Sequence, residues 1–120
     1  MKFSETLTKN YEFRRLYSKG KTAVTPMVAV YCRKTGRNKN RIGFTVSNKL
    51  GKAVRRNKTR RRLREIYRLH EDELAVGRDI VIVARMKAMT ADYRALEKSL
   101  LSAFRMLELF SGEITQGDER

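Results

Sequence analysis

The residues best suited to bind a ligand form a dense run of cations in the middle of the chain. Between Arg55 and Arg64, seven of ten residues are Arg or Lys, and the next acidic residue is Glu65. Like charges at helical spacing repel one another, at roughly a few tenths of a kcal/mol per pair. Six of the seven cations are arginines, whose planar guanidinium donates paired hydrogen bonds to phosphate oxygens. The run therefore predicts a polyanionic ligand, with nucleic acid as first candidate and an anionic membrane as second.

The composition of the whole chain narrows this choice. Its 120 residues include 28 basic and 13 acidic side chains, so the formal net charge is +15. No apolar run approaches the roughly 20 residues needed to span a bilayer, and the N-terminus lacks the apolar stretch of a signal peptide. The single Cys32 can form no disulfide within the chain. These features predict a cytoplasmic protein that binds nucleic acid and has no membrane partner.

Residues suited to catalysis are sparse in the sequence. The one histidine, His70, has no Cys or His companion at metal-ligand spacing, and no glycine-rich loop has the spacing of a P-loop. The acidic run 71–73 is more typical of a solvated turn than of a cation site, which needs several convergent oxygens. Cys32 is interpreted as a small buried hydrophobe. The sequence therefore predicts no catalytic residue, no metal-ligating residue and no organic cofactor.

Hydrophobic spacing predicts the elements that position the cations. These elements are, in order, a helix over 10–18, strands over 26–32 and 41–47, a basic helix ending near residue 70 or 73, an interior strand over 78–85 and a helix over 91–110. Thr8 is the expected cap of the first helix and Gly20 its expected end. The polar loop 35–40 is expected to join the first two of these strands as an antiparallel hairpin.

These elements predict one domain of the α+β class. It covers residues 1–110 as a two-layer α-β sandwich with the order α-β-β-β-α-β-α, in which two or three strands precede the basic helix. Residues 111–120 are polar and contain two glycines, so a disordered C-terminal tail is expected there.

The basic helix separates into two faces at about 100° per residue. The stripe expected to be buried holds Thr59, Leu63, Ile66, Tyr67 and His70. The residues that gather broadly opposite are Asn57, Arg60, Arg61, Arg64 and Arg68. The helix can therefore dock on the sheet while it presents a guanidinium ridge. His70 has no obvious partner in the sequence and is interpreted as a core or boundary histidine.

Three aromatic residues, Phe13, Tyr17 and Tyr31, allow two interpretations. Aromatic side chains at helical spacing are mostly core residues, and spacing alone favours that interpretation. Rings beside a basic surface can instead stack on unpaired bases, which single strands expose and duplexes do not. Spacing leaves both interpretations open.

The segment KLGKAVRRNKTRRRLRE resembles the signature of the bacterial ribonuclease P protein subunit. The residues that carry the resemblance are Ala53, Arg56, Asn57, Lys58, Arg60, Arg61, Leu63 and Arg64. The segments KNYEFRRLYSKG, VAVYCRK, RIGFTVSNKLGKAV and RDIVIVAR are similar to the family's first helix, first strand, lead-in to the basic helix and later strand. Two positions depart from the family pattern. Lys58 keeps the charge of the usual arginine but loses its bidentate fork, and Thr59 replaces an aliphatic residue.

The resemblance implies the protein cofactor of an RNA enzyme that removes the 5′ leader from precursor tRNA. In such a holoenzyme the RNA supplies the active site and binds most of the Mg²⁺. One protein pairs with one ribonuclease P RNA, and no stable homo-oligomer is required. Residues expected to bind the catalytic RNA are Lys49, Lys52, Arg55, Lys58, Arg60, Arg61, Arg64 and Arg68. Residues expected to bind the precursor tRNA leader are Phe13, Tyr17, Tyr31, Arg56 and Asn57. The family fold further implies a left-handed β-α-β crossover around the basic helix, against the general right-handed preference.

Two other functions fit parts of the sequence. A structural RNA-binding protein of the ribosomal type needs the same basic face, but it does not need aromatic residues placed for a single strand. A protein nuclease in its own right needs an acid–base pair or a metal cluster, which the sequence lacks. The aromatic set is therefore the feature that separates the ribonuclease P interpretation from the ribosomal one.

Overall fold

A computed structural model describes residues 4–111, which form a five-stranded sheet and three α-helices. The strands are β1 (Ser4–Thr6), β2 (Lys21–Val24), β3 (Val28–Lys34), β4 (Asn40–Thr45) and β5 (Arg78–Ala84). The helices are α1 (Asn10–Lys19), α2 (Ala53–His70) and α3 (Tyr93–Met106), and 3-10 turns cover Asn48–Leu50, Glu71–Glu73 and Met86–Met89. The α+β class and the predicted order are confirmed, with the short β1 added before α1. The predicted tail covers residues 111–120, of which only Ser111 is among the described residues.

The sheet places β5 at its centre, in the order β1-β4-β5-β3-β2. β5 is parallel to β4 and antiparallel to β3, so that Ile80 pairs with Ile42 on one side and with Cys32, which is buried as predicted, on the other. The predicted hairpin between the runs 26–32 and 41–47 is therefore wrong, because β5 separates them. β5 is largely buried on both faces and takes the protected central place, while β3 forms its hairpin with β2. β2, β3 and β4 are therefore the three strands that lie between α1 and the basic helix α2.

Alternate residues of the strands face different helices. Val30 and Ile82 lie opposite one another and belong to the main core, to which α2 and α3 contribute. Tyr31 and Val81 form the next pair and pack with Leu16 of α1 in a second, smaller cluster. The sheet with α2 and α3 forms the predicted two-layer sandwich, and α1 covers part of the opposite face.

α2 connects the parallel strands β4 and β5 and packs its apolar stripe on the sheet. Thr59, Leu63, Ile66 and Tyr67 are buried, as their spacing predicts. Burying one large apolar side chain stabilises a fold by about 1.5–3 kcal/mol, whereas one like-charge pair costs roughly a few tenths. The stripe can therefore hold the helix in place against the repulsion of its cations. The β4-α2-β5 connection is the crossover that the family resemblance implies, and its left-handed sense stays a prediction.

His70 lies at the edge of the core and has two partners that its sequence did not reveal. Its Nδ1 lies 2.9 Å from Oε2 of Glu73, and its Nε2 lies 3.0 Å from Oε2 of Glu97. Burial alone would lower the pKa of His70, but the hydrogen bonds to Glu97 and Glu73 outweigh burial and raise the pKa above its ordinary value. The contact between Nε2 of His70 and Glu97 therefore ties the end of α2 to α3.

The acidic run after α2 is in part buried, which corrects the prediction of a solvated turn. Glu71 is 5% exposed, and its Oε2 accepts a hydrogen bond from Oγ of Ser4 at 2.9 Å. The same Oγ lies 2.6 Å from the hydroxyl of Tyr67. Asp72 and Glu73 remain exposed. The burial of Glu71 depends on β1, a strand that the sequence did not predict.

α1 follows its predicted range with one change at its start. Lys9, rather than Thr8, occupies the N-cap position, and no described side chain caps the helix. Gly20 ends the helix as predicted, with its N–H donating to the carbonyl of Leu16 at 2.9 Å. A Cβ at Gly20 would lie 2.6 Å from that carbonyl oxygen, so the close approach requires glycine.

α3 is shorter than the predicted helix over 91–110. Asp92 caps its start, because the side chain accepts a hydrogen bond from the N–H of Ala95 at 2.7 Å. Beyond its end, Glu108 adopts a left-handed backbone with φ 56°. Phe110 therefore leaves the helix path and forms an isolated antiparallel bridge with Leu74, where both side chains are buried.

The ring of Phe13 on α1 lies directly on Gly43 of β4. A Cβ at Gly43 would lie 2.6 Å from Cε1 and 2.8 Å from Cζ of this ring. On the same face of β4, Arg41 donates to Glu12 of α1 and forms two hydrogen bonds, of 2.8 and 2.6 Å, to the buried Asp79. The ring contact and the ion pairs together fix α1 over the sheet.

Replacing Gly43 by alanine tests this packing. We expect Gly43→Ala to lower the free energy of unfolding by about 1–3 kcal/mol, because the added methyl overlaps the Phe13 ring. In a Phe13→Ala background, the same substitution is expected to be neutral or stabilising, since the overlap is gone and alanine loses less backbone entropy than glycine. Chemical denaturation of the four proteins completes the double-mutant cycle. An equal cost in both backgrounds would contradict the contact.

The pairing of His70 predicts a pH dependence of stability. Because the pKa of His70 is higher in the folded chain than in the unfolded chain, its contribution is fully present below about pH 6.5 and is lost as the pH rises through the folded-state pKa. We expect the stability difference between wild type and His70→Gln to shrink over that range, by at most about 1 kcal/mol for a partly exposed pair. Urea denaturation at a series of pH values measures this difference. A difference that does not change with pH would show that the ring stays neutral.

Candidate RNA-binding surface

α2 presents its cations to solvent along most of its length. The first turn of α2 contains no acidic residue. Among the cations expected to bind the catalytic RNA, Arg60 is half-buried and the others are exposed, namely Lys49, Lys52, Arg55, Lys58, Arg61, Arg64 and Arg68. The guanidinium ridge that helical spacing predicts is therefore present at the surface.

Two cations of the ridge are held by neighbouring groups. Arg68 Nη2 lies 2.6 Å from Oε1 of Glu65, one helical turn earlier, so its charge is partly neutralised. The guanidinium of Arg64 lies 5.4 Å from the centroid of the Phe44 ring, a cation–π geometry. Such contacts order a long side chain before any ligand binds, which lowers the entropy cost of binding.

Arg56 and Asn57 lie in the first turns of α2. Arg56 is half-buried, and its Nε donates to the carbonyl of Gly51 at 3.1 Å. Asn57 is exposed, and its Oδ1 accepts a hydrogen bond from Nη1 of Arg60 at 3.0 Å. A guanidinium has five donors, and the Nη groups of Arg56 have no partner among residues 4–111. Arg56 is therefore oriented by the backbone and retains donors for a ligand.

A groove of about 570 Å³ opens between α1 and the end of β4. The residues that line it are Asn10, Phe13, Arg14, Tyr17 and Thr45. Tyr17 is 41% exposed, and its hydroxyl lies 3.4 Å from Oγ1 of Thr45. Arg14 is exposed and has no acidic partner among the described residues. An exposed ring beside a free guanidinium suits an unpaired nucleotide, whose base can stack while its phosphate accepts hydrogen bonds.

Tyr31 supports this groove from the sheet. Its ring meets the ring of Tyr17 edge to face, with centroids 4.9 Å apart and an interplanar angle of 76°. Tyr31 is half-buried and also packs against Leu7, Leu16 and Val81. Both interpretations of the aromatic residues therefore apply in part, since Tyr31 contributes to packing while Tyr17 remains exposed.

The structure brings together part of the residue set expected to bind the leader. Phe13 and Tyr17 line the groove, and Tyr31 contacts Tyr17. Arg56 and Asn57 do not line it; they lie on the helix that follows β4 by way of a 3-10 turn.

Sequence reasoning missed three lining residues of this groove, Asn10, Arg14 and Thr45. The signal for the first two was present, because Asn10, Phe13, Arg14 and Tyr17 follow the i, i+3, i+4, i+7 spacing of one helix face. Thr45 lies two residues after Gly43, so the alternation of a strand places it on the same face of β4. What the sequence did not show is that α1 lies over this part of β4.

Within residues 4–111, no group of three or more His, Cys, Asp or Glu side chains is arranged to hold a metal ion. In the same range, no helix combines the length and the apolar character needed to cross a membrane.

Comparison with known proteins identifies the family. A family model described as Ribonuclease P matches residues 1–108. The ribonuclease P protein component of Alkaliphilus oremlandii is 37% identical over 114 residues, which cover 95% of this chain and 100% of that protein. The solved RNase P protein of Staphylococcus aureus matches with a TM-score of 0.82 at 31% identity, over 88% of this chain and 97% of that one. The RNase P protein from Thermotoga maritima matches with a TM-score of 0.75 at 33% identity, over 82% and 93%. This chain belongs to the ribonuclease P protein family.

Proposed function

We propose that α2 docks on the catalytic RNA of ribonuclease P while the groove between α1 and β4 grips the 5′ leader of precursor tRNA. Family membership supports the partnership with ribonuclease P RNA. The observation that carries the leader assignment is the groove itself, where Tyr17 and Phe13 lie beside Arg14. In this role the chain assists endonucleolytic removal of the leader, which leaves mature tRNA 5′ ends.

The ridge of α2 has the chemistry that a folded RNA requires. Arg61 and Arg64 are exposed, and each guanidinium can donate two parallel hydrogen bonds to a phosphate. Each phosphate that is neutralised releases condensed counterions, so the affinity for RNA is expected to fall steeply with salt. Arg68 contributes less, because Glu65 already pairs with it.

The groove has the chemistry of a site for a single strand rather than a duplex. A base can stack on an aromatic ring only when it is unpaired, and Tyr17 offers such a ring on an open surface. Arg14 on the same groove can bind the adjoining phosphate. The leader is a single strand that precursor tRNA has and mature tRNA lacks, so a site for the leader distinguishes precursor from product.

The reaction itself belongs to the RNA subunit in this proposal. The RNA provides the active site and binds most of the Mg²⁺, as the family resemblance implies, while the chain positions substrate and RNA. A complex of one chain with one RNA and a cytoplasmic location are parts of the same proposal. The proposal invokes no organic cofactor, no membrane and no homo-oligomer.

A structural RNA-binding protein of the ribosomal type is not favoured as an alternative. The family match covers residues 1–108, so it includes α1 and the sheet as well as the basic helix. Binding to a folded RNA by charge alone leaves the groove of Tyr17 without a role.

Replacing Tyr17 by alanine tests the leader site. We expect Tyr17→Ala to weaken binding of leader-bearing precursor tRNA to the holoenzyme by about 1–3 kcal/mol, because one stacked base loses its ring. Binding of mature tRNA should not change, since it has no leader. Equilibrium binding of both tRNAs to the reconstituted holoenzyme gives the ratio of precursor tRNA affinity to mature tRNA affinity, which Tyr17→Ala should lower. Phe13→Ala and Tyr31→Ala are expected to lower this affinity ratio as well. They should also lower the stability of the fold, because both rings are half-buried.

Tyr11 provides a matched control on the same helix. Its ring is 52% exposed, and it does not line the groove. Tyr11→Ala should therefore leave the dissociation constants of both tRNAs unchanged. Equal losses for precursor and mature tRNA in Tyr17→Ala would assign the tyrosine a structural role and would overturn the leader site.

A further inference from the structure

A second groove, called the edge groove here, lies where β2 turns into β3 and where β5 ends. It has a volume of about 560 Å³. The residues that line it are Val24, Thr25, Pro26, Arg85, Met86 and Lys87. None of them lines the groove between α1 and β4, and none belongs to α2. The function proposed above therefore gives the edge groove no role.

Apolar side chains are accessible to solvent at the edge groove. Val24 is 51% exposed and Met86 is 61% exposed, and Pro26 is exposed as well. Exposed apolar side chains that lie together, rather than singly, are typical of a surface that binds another protein. None of the six lining residues is aromatic, so the groove offers no ring on which a base can stack. Its apolar part suits an aliphatic side chain better than a nucleotide.

Two cations lie beside these apolar side chains. Arg85 donates a hydrogen bond from Nη1 to the carbonyl of Thr25 at 2.7 Å, which orients the guanidinium and leaves other donors available. Lys87 is exposed, and neither cation has an acidic partner among residues 4–111. No lining residue of the edge groove is acidic. A complementary ligand therefore combines carboxylates with aliphatic side chains.

β2 presents an open backbone edge beside the groove, because it is the last strand of the sheet. The N–H of Thr25 donates to the carbonyl of Val28 at 2.9 Å, which fixes the phase of the ladder between β2 and β3. Alternate residues of an antiparallel strand direct their N–H and C=O groups to opposite sides. Thr22 and Val24 therefore direct theirs away from β3, and both residues are exposed. An extended peptide can pair with this edge and add a strand to the sheet.

The turn between β2 and β3 is fixed on both sides. Thr25 is 7% exposed, and its Oγ1 lies 2.6 Å from Oγ of Ser99 on α3. The N–H of Arg85, just after β5, donates to the carbonyl of Met27 at 2.9 Å. A backbone edge that is ordered before binding pairs with a partner at a lower entropy cost than a mobile one.

We propose that the edge groove and β2 bind an extended acidic segment of a partner protein by strand addition. The backbone of the segment pairs with Thr22 and Val24. One of its aliphatic side chains packs between Val24 and Met86, and its carboxylates pair with Arg85 and Lys87. Backbone pairing provides affinity in this mode of recognition, while pockets for alternate side chains provide specificity. An RNA strand could use the two cations, but it would leave the apolar side chains and the open strand edge without a role.

A synthetic peptide measures this binding directly. The probe is a fluorescein-labelled peptide of about eight residues in which glutamate alternates with isoleucine, a length typical of a strand. Its control has the same charge, with proline in place of each isoleucine, which removes the apolar anchor and half of the backbone donors. Fluorescence anisotropy with the full chain, at about 0.15 M salt, gives both dissociation constants. We expect the isoleucine peptide to bind at least about tenfold more tightly than the proline peptide.

Two substitutions in the chain test separate parts of the site. Val24→Pro removes the N–H that faces the open edge, and proline is tolerated at such a position because the ladder with β3 does not use that N–H. Lys87→Glu reverses a charge on an exposed side chain, so it keeps the test decisive even if Val24→Pro does not fold. We expect each to weaken binding of the isoleucine peptide by about tenfold. Lys39→Glu makes the same charge change at an exposed position outside the groove and should stay within about twofold of wild type.

Several outcomes would overturn the site. Equal affinities for the two peptides, or equal losses for Lys87→Glu and Lys39→Glu, would show attraction by net charge alone. A wild-type chain that does not bind the isoleucine peptide below about 1 mM would do the same to the proposal. Sedimentation equilibrium that shows a dimer of wild type, which Val24→Pro dissociates, would assign the edge to a second copy of the chain instead.

The tRNA measurement distinguishes a protein partner from RNA. In the reconstituted holoenzyme, Lys87→Glu should leave the ratio of precursor tRNA affinity to mature tRNA affinity unchanged. A lower ratio would show that the edge groove binds the substrate, and the inference would be wrong. Failure of the leader site in Tyr17→Ala would leave this inference intact, because the two grooves share no lining residue.

Discussion

The docking of the apolar stripe of α2 on the sheet is the interaction on which the rest of the structure depends. Leu63, Ile66 and Tyr67 are fully buried, and their burial holds in place a helix whose outer surface is self-repelling. Phosphates that bind the ridge remove this repulsion, so charge that is unfavourable in the free chain becomes favourable in a complex. The same docking leaves Arg55, Lys58, Arg61 and Arg64 of α2 exposed.

The groove between α1 and β4 depends on a second constraint, which is the placement of α1 on β4. Gly43 admits the Phe13 ring against the strand, and Arg41 joins α1 to β5 through Glu12 and Asp79. The hydrogen bonds to Asp79 raise the pKa of Arg41, so this cation stays charged and is committed to the fold. Arg14, two residues after Glu12, remains available at the groove. Ordered aromatic side chains on a fixed helix bind a flexible strand at a lower entropy cost than mobile ones.

Local patterns predicted much of the fold, whereas contacts between distant segments were not predictable. The stripe of α2 and the interior strand β5 follow from spacing and apolar runs, and both are confirmed. The predicted pairing of β3 with β4 was wrong, because β5, which begins more than thirty residues after β4 ends, lies between them. β1 has three residues, too few for a pattern. The partner Glu97 of His70 is 27 positions away, and no local rule connects them.

The candidate site was likewise predictable where it depends on local spacing and not where it depends on contacts between distant segments. Spacing located the guanidinium ridge and the aromatic residues, but it favoured a core role for the latter, and the family resemblance was needed to assign them to a leader. Thr45 and Arg14 both line the groove because α1 packs on β4. This packing depends on Gly43, which no pattern in the sequence singles out.

The central claim is that this chain docks on a catalytic RNA and leaves the chemistry to it. The most direct measurement is cleavage of leader-bearing precursor tRNA at low Mg²⁺ by ribonuclease P RNA, with and without the chain. We predict that cleavage increases as the chain is added, reaches a plateau at one chain per RNA, and does not occur with the chain alone. Cleavage that is unchanged at every concentration of the chain, or cleavage by the chain without RNA, would contradict the claim.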